Sequence, residues 1–162
     1  MLRAVSGFFR ESGRFDEAIS SLKEVSDKSA EYWGEFGYTY QLAGRKNEAA
    51  EAYVHAANQD RNEINYQLSA ALALLNAGKL NEAKTFIQRG DGISPNHYRL
   101  HAIRGQLASV ENRSDDAITE YQAAIANLPA EGVQEGVLYP VELHINLAEQ
   151  YRSAENQNAA TD

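Results

Sequence analysis

His97 and His101 stand four residues apart, the spacing that puts two imidazoles on one face of a helix. Such a pair holds a metal ion when a third ligand joins it, but the chain has no HExxH pattern. His144 occupies the same place in a repeating frame as His101, and a position that tolerates a flat polar ring explains that match without a metal. Carboxylates are plentiful, as in Asp115-Asp116 and Glu48–Glu51. Asp16-Glu17, Asn47-Glu48, Asn81-Glu82 and Asp115-Asp116 each precede an alanine where an amphipathic segment begins. Negative charge there complements a helix dipole and satisfies free amide donors, so these groups read as structural. No glycine-rich phosphate loop, nucleophile elbow or triad-like motif is present. Asn112-Arg113-Ser114 fits the glycosylation sequon but reads better as a turn. The expectation is a chain that is not an enzyme and needs no metal and no cofactor.

The elements carrying these residues repeat. Ala49, Ala83 and Ala117 are 34 residues apart, and so are Gly37, Ala71 and Gly105. A fixed period of this length means a stack of similar units instead of one globular core. The clearest unit runs from Ala30 to about Glu63 and reads Trp33, Phe36-Gly37, Tyr40, Gly44, Ala49, Tyr53 and Ala56. Apolar residues three and four apart predict two amphipathic helices, with Gly44-Arg45-Lys46-Asn47 as the turn. Gly44 suits the left-handed conformation that ends a helix, and Asn112 does the same in a later unit. Gly37 and Ala49 lack bulk, which lets the two helices cross closely.

This pattern resembles the tetratricopeptide repeat, whose signature is an aromatic, then Leu-Gly, Tyr, Ala, Phe and a late Pro. The next unit has Ala71, Leu74, Gly78, Ala83, Ile87 and Pro95; the following one has Gly105, Ala108, Asn112, Ala117, Tyr121, Ala124 and Pro129. The first unit fits through Phe9, Gly13, Ala18, Leu22 and Val25, but Ala18 to Ala49 spans only 31 residues. Leu147-Ala148 and Tyr151 mark the leading helix of a fifth, whose second helix is expected near Asn156. The domain expectation is a single array over 1–162, with units at about 1–29, 30–63, 64–97 and 98–131. An irregular insertion at 129–140 and a partial unit at 141–162 complete it. Val137, Leu138 and Tyr139 in that insertion are expected to pack onto the stack, and Pro140 to sit in the first turn of the helix that follows. Both ends cut across repeats, which suggests an excerpt of a longer array.

The resemblance implies an all-α, right-handed α-solenoid of antiparallel helix pairs, about four units plus the leading helix of a fifth. It implies a concave groove lined by leading helices. The candidate peptide-binding residues are Tyr38, Gln41, Asn65, Leu68, Leu72, Arg99, Gln106 and Asn146, with Glu31, Gly34, Asn76, Ala102, Ser109 and Glu149 extending the row. Tyr38, Leu68 and Leu72 form the apolar centre; equally, Leu68 and Leu72 could be buried between units, because the two faces adjoin on one helix. Some relatives hold a terminal carboxylate with a set of Lys, Asn and Arg. Glu35, Ser69 and Asn65 stand where that set belongs, so an acidic chaperone tail does not fit. An extended segment or amphipathic helix fits better.

Composition agrees. The net charge of −8 and scattered basic residues argue against nucleic acid, including an RNA-binding helix-pair array. Residues 132–162 hold Glu135, Glu142, Glu149, Glu155 and Asp162 against Arg152, read as a solvated acidic end. No apolar run spans a bilayer, and Met1–Phe9 is too short and polar for a signal core. Absence of cysteine excludes disulfides, and leaves cytoplasm and periplasm both compatible. The function expected is a non-catalytic protein-interaction module or scaffold. The alternatives are a self-association module forming homo-oligomers, or an inert regulatory or spacer domain of a larger protein.

Overall fold

A computed structural model describes residues 2–129 and 140–159. The notable loop at 129–140 therefore lies outside the described residues, apart from its ends. The described chain is entirely helical and contains no strand. It divides into two compact units, residues 1–89 and 90–162, each taken here by itself. The first holds α1 (Leu2–Glu11), α2 (Phe15–Lys23), α3 (Ala30–Leu42), α4 (Lys46–Gln59) and α5 (Ile64–Asn76). The division falls within α6 (Leu80–Ile93); the second unit continues with α7 (Tyr98–Val110), α8 (Ser114–Ala126) and α9 (Pro140–Ala159). Within each unit the principal packing is between helices consecutive in sequence, as the repeat period requires.

One turn recurs at every junction inside a helix pair. Gly13, Gly44, Gly78 and Asn112 all have positive φ, between 58° and 75°. At Gly44 its amide donates to the Gln41 carbonyl at 3.0 Å and the Arg45 amide to the Tyr40 carbonyl at 2.9 Å. Those two bonds satisfy the last carbonyls of α3 and reverse the chain. Lys79 to Leu74 and Arg113 to Ala108 repeat the longer bond at 2.9 Å.

The carboxylates after these turns bond to backbone at Glu17 and Glu48, as expected, and also meet arginines. The N-cap residues of α2, α4 and α8 are Arg14, Arg45 and Arg113, whose own side chains make no capping hydrogen bond. Glu17, Glu48 and Asp116 sit in the first turn and pair with those arginines. The neighbouring guanidinium holds Glu17 and Glu48 below the usual carboxylate range. Their favourable contact with the helix dipole remains.

The pairs close over small residues. A Cβ on Gly37 would lie 2.7 Å from the Tyr53 ring, and one on Gly105 would lie 2.8 Å from the Tyr121 ring. Each tyrosine therefore packs flat on a bare backbone. Around these contacts, Ile19, Leu22, Tyr32, Phe36 and Ala52 form one core cluster. Ala102, Ala108, Ala117, Tyr121, Ala124 and Leu143 form another, in the second unit. Burying a side chain such as Leu22 contributes about 1.5–3 kcal/mol. Gln67 is wholly buried, and its amide donates to the Ala57 and Asp60 carbonyls at 2.8 and 3.1 Å, tying α5 to the end of α4. The chain expected to turn near Asn156 does not: α9 runs unbroken from Pro140 to Ala159. Polar residues after Arg152 supply neither a glycine nor the left-handed turn that stops the other leading helices.

Two outcomes test this packing. Gly37→Ala gains about 1 kcal/mol in helix propensity but overpacks by about 1–3 kcal/mol, so urea denaturation should show net destabilisation. Gly92→Ala in α6 meets nothing within 4 Å and should stabilise by a few tenths to about 1 kcal/mol. Burial pushes the Tyr121 phenol up to about 12. Its contribution is complete below the unfolded value of about 10 and is lost as pH rises toward 12. Stability measured across that window should therefore fall less in Tyr121→Phe than in the parent.

Candidate functional site

The leading helices of the first unit present a continuous set of side chains. On α3, Tyr38 and Leu42 lie one turn apart and are 41% and 42% exposed, which makes them a paired apolar surface. Arg10 of α1 reaches across to them: its guanidinium lies 5.4 Å from the centre of the Tyr38 ring. It also pairs with Glu35 and donates to the Thr39 hydroxyl at 3.3 Å. Thr39 in turn donates to the Glu35 carbonyl at 2.7 Å. A cation and an anion thus cancel beside the tyrosine, leaving its edge available and the surrounding charge low.

At the same, C-terminal end of α3 a cavity of about 200 Å³ opens between α3, α4 and α5. Gln41, Gly44, Lys46, Ala49, Ala73 and Asn76 line it. Ala49 and Ala73 are buried, so the floor is apolar, while the two amides and the ammonium sit at the rim. Such a lining accepts a small carbonyl- or carboxylate-bearing group over methyl surface.

The expected site residues fare unevenly. Tyr38 and Gln41 lie on this surface, Asn65 is exposed and Leu72 is half-buried on α5. Leu68 is fully buried and cannot act as an exposed anchor. Its neighbour Gln67 is drawn under α4 by two hydrogen bonds, which turns this part of α5 inward. Arg99, Gln106 and Asn146 are half-buried in the second unit and line no described cavity. Ser109 accepts from the Gln150 amide at 2.8 Å, so it ties α7 to α9. Leu42, Arg10 and Lys46 were not among the expected site residues. Leu42 was legible as the residue one turn after Tyr38; Arg10 required knowing which face of α1 meets α3.

The paired histidines do different work. His97 caps α7, its Nδ1 accepting from the Arg99 amide at 3.2 Å, and burial lowers its pKa. His101 contacts Glu120 at 2.7 Å. Among the described residues no three His, Asp or Glu side chains converge as a metal site. Glu120, the partner of His101, lines a polar cavity of about 330 Å³ in the second unit, together with Arg104, Ala108 and Asp116. Two repeats upstream the same frame positions are Phe36, Tyr40, Glu48 and Ala52, which line an aromatic cavity with Trp33 and His55. One frame thus carries aromatic packing in the first unit and ion pairs in the second.

Residues 30–63 match the family profile described as Tetratricopeptide repeat. The chain contains a tetratricopeptide repeat. Its fold is that of the all-α tetratricopeptide solenoids, built from antiparallel helix pairs. MamA from residue 41 to its end, of Desulfovibrio magneticus RS-1, superposes with a TM-score of 0.73 at 18% identity, over 99% of this chain and 88% of that one. A thermophilic TPR protein of Thermus thermophilus gives 0.71 at 17% identity, over 94% and 81%. The first TPR domain of human RPAP3 gives 0.66 at 15% identity, over 80% and 95%. No curated protein matches the sequence. Tetratricopeptide repeats are in general non-catalytic interaction modules that bind through extended surfaces. Among the described residues, no helix is long and apolar enough to cross a membrane.

The Arg10 bridge yields a test. Arg10→Ala strands the half-buried Glu35 carboxylate and should cost about 1–2 kcal/mol in chemical denaturation, between surface and buried ion-pair values. Pairing it with Glu35→Gln should recover part of that loss.

Proposed function

We propose that this protein is a non-catalytic scaffold that binds a peptide segment of a partner protein on the leading-helix face of residues 1–89. The observation that carries this reading is the exposed Tyr38–Leu42 pair beside the Gln41, Lys46 and Asn76 cavity. Tyr38 and Leu42 offer an apolar seat for one or two side chains of the segment. The amides and Lys46 read its carbonyls or a carboxylate one turn further on. Rigid aromatic and aliphatic anchors flanked by adaptable polar groups are the usual division of labour in such contacts. The reading needs no cofactor and no nucleic acid. It treats 1–162 as one repeat array, with Asn65 and Leu72 at the edge of the seat and Arg99, Gln106 and Asn146 outside it.

Selection of binders from a displayed peptide library, followed by calorimetry on the full chain, tests the assignment. Tyr38→Asp, Leu42→Asp and Lys46→Glu should each weaken the selected peptides at least tenfold, or about 1.4 kcal/mol. Arg99→Ala, Gln106→Ala and Asn146→Ala should leave affinity unchanged. The opposite pattern would move the site to the second unit.

A further inference from the structure

The aromatic cavity of the first unit has a volume of about 340 Å³ and is lined only by residues between Lys23 and His55. Four rings of α3 form its wall. Phe36 lies 4.9 Å from Tyr32, 6.1 Å from Trp33 and 5.6 Å from Tyr40, centre to centre. Their planes are inclined by 48° to 53°, so none of the three is stacked face to face on Phe36. Trp33 and Tyr40 are only half-buried, and His55 stacks on the Trp33 indole at 4.4 Å. The repeat frame does not require rings here. At the positions of Trp33, Phe36 and Tyr40 the next unit carries Gln67, Ala70 and Leu74, and the following one His101, Arg104 and Ala108.

The rings already draw cations. The Lys28 ammonium lies 4.0 Å from the centre of Tyr32, and the Arg45 guanidinium 4.9 Å from that of Tyr40. Three charged side chains line the cavity: Lys23, Glu48 and Glu51. Glu48 is held by Arg45 at 2.7 Å. Lys23 and Glu51 are exposed and form no ion pair among the described residues, which leaves one cation and one anion for an occupant. The wall is poor in acceptors, since Phe36 and Ala52 have none and the Tyr32 hydroxyl is engaged by Lys28. A cation bearing N–H groups would lose hydrogen bonds to water on entering. A methylated ammonium has none to lose and is attracted by ring faces.

We infer that this cavity binds a trimethylammonium group carrying an anion on a short tether, the chemistry of a betaine or of a phosphocholine headgroup. The methylated nitrogen sits against Trp33 and Tyr40 with the Glu51 carboxylate beside it, and the tethered anion meets Lys23. The volume is at the lower end for small-ligand sites, which start at about 300 Å³. The cavity shares no residue with the peptide seat at Tyr38, Leu42 and the Gln41–Asn76 cavity, so the two proposals fail independently.

Trp33 is the single tryptophan of the 162-residue chain, so its fluorescence reports occupancy without a label. Choline, glycine betaine and phosphocholine are titrated, with phosphoethanolamine as the unmethylated control and methyl phosphate as the cation-free one. Betaine or phosphocholine should give a saturable change with a dissociation constant below about 1 mM. The tighter of the two should exceed choline about threefold and phosphoethanolamine about tenfold. Lys23→Ala should lower that ligand to the affinity of choline and leave choline itself unweakened. Glu51→Gln should weaken every methylated ligand about threefold. Both side chains are exposed, so circular dichroism should be unchanged, and Tyr38→Asp should have no effect on these titrations. Co-sedimentation with phosphatidylcholine vesicles, lost in Lys23→Ala, would place the headgroup on a lipid. Saturable binding of the free compounds without co-sedimentation would make the ligand a soluble one. No saturable change with any methylated compound up to about 10 mM would overturn the inference. So would equal binding of phosphoethanolamine or methyl phosphate, or zwitterion affinity untouched in Lys23→Ala.

Discussion

Everything regular in this protein depends on how closely two helix backbones approach within a pair. At Gly37 and Gly105 the approach is so tight that a tyrosine ring occupies the volume of an absent Cβ. A ring seated on backbone buries a large apolar area without lengthening the distance between helix axes. That distance fixes where the exposed edges of the leading helix emerge. Tyr38 follows Gly37 directly, so its outward direction is set by the contact beneath its neighbour.

Legibility followed the same physics. The turns were readable because a left-handed residue leaves a compositional mark: Gly44 and Asn112 both adopt the conformation expected. The small-residue crossings were readable because their spacing recurs. The surface was harder. Leu68 and Leu72 sit one turn apart on α5, yet one is fully buried and the other only partly. Helical periodicity places both near a boundary between two faces and cannot assign the side. What decides is Gln67, whose amide reaches two carbonyls at the end of α4, a pairing that spacing alone does not announce. The end of α9 failed for a related reason, since a missing stop signal is less conspicuous than a present one.

Charge is handled locally. Arg14, Arg45 and Arg113 each meet a carboxylate three residues on, at the start of a trailing helix. The strong acidity of the composition therefore does not translate into an acidic candidate site. Arg10 and Glu35 extend the same logic between neighbouring leading helices. Around Tyr38 and Leu42 the result is a face whose selectivity rests on shape and amide geometry more than on net field.

The contrast between Phe36 and Arg104 reaches beyond packing. Arg104 pairs with Asp91 of the helix before it, whereas the cavity around Phe36 receives Lys23 from α2. Transplanting residues 98–131 into the place of 30–63 would set a guanidinium beside an ammonium. Units of the same frame are thus matched to different neighbours, so their order along the chain is part of the information the protein carries.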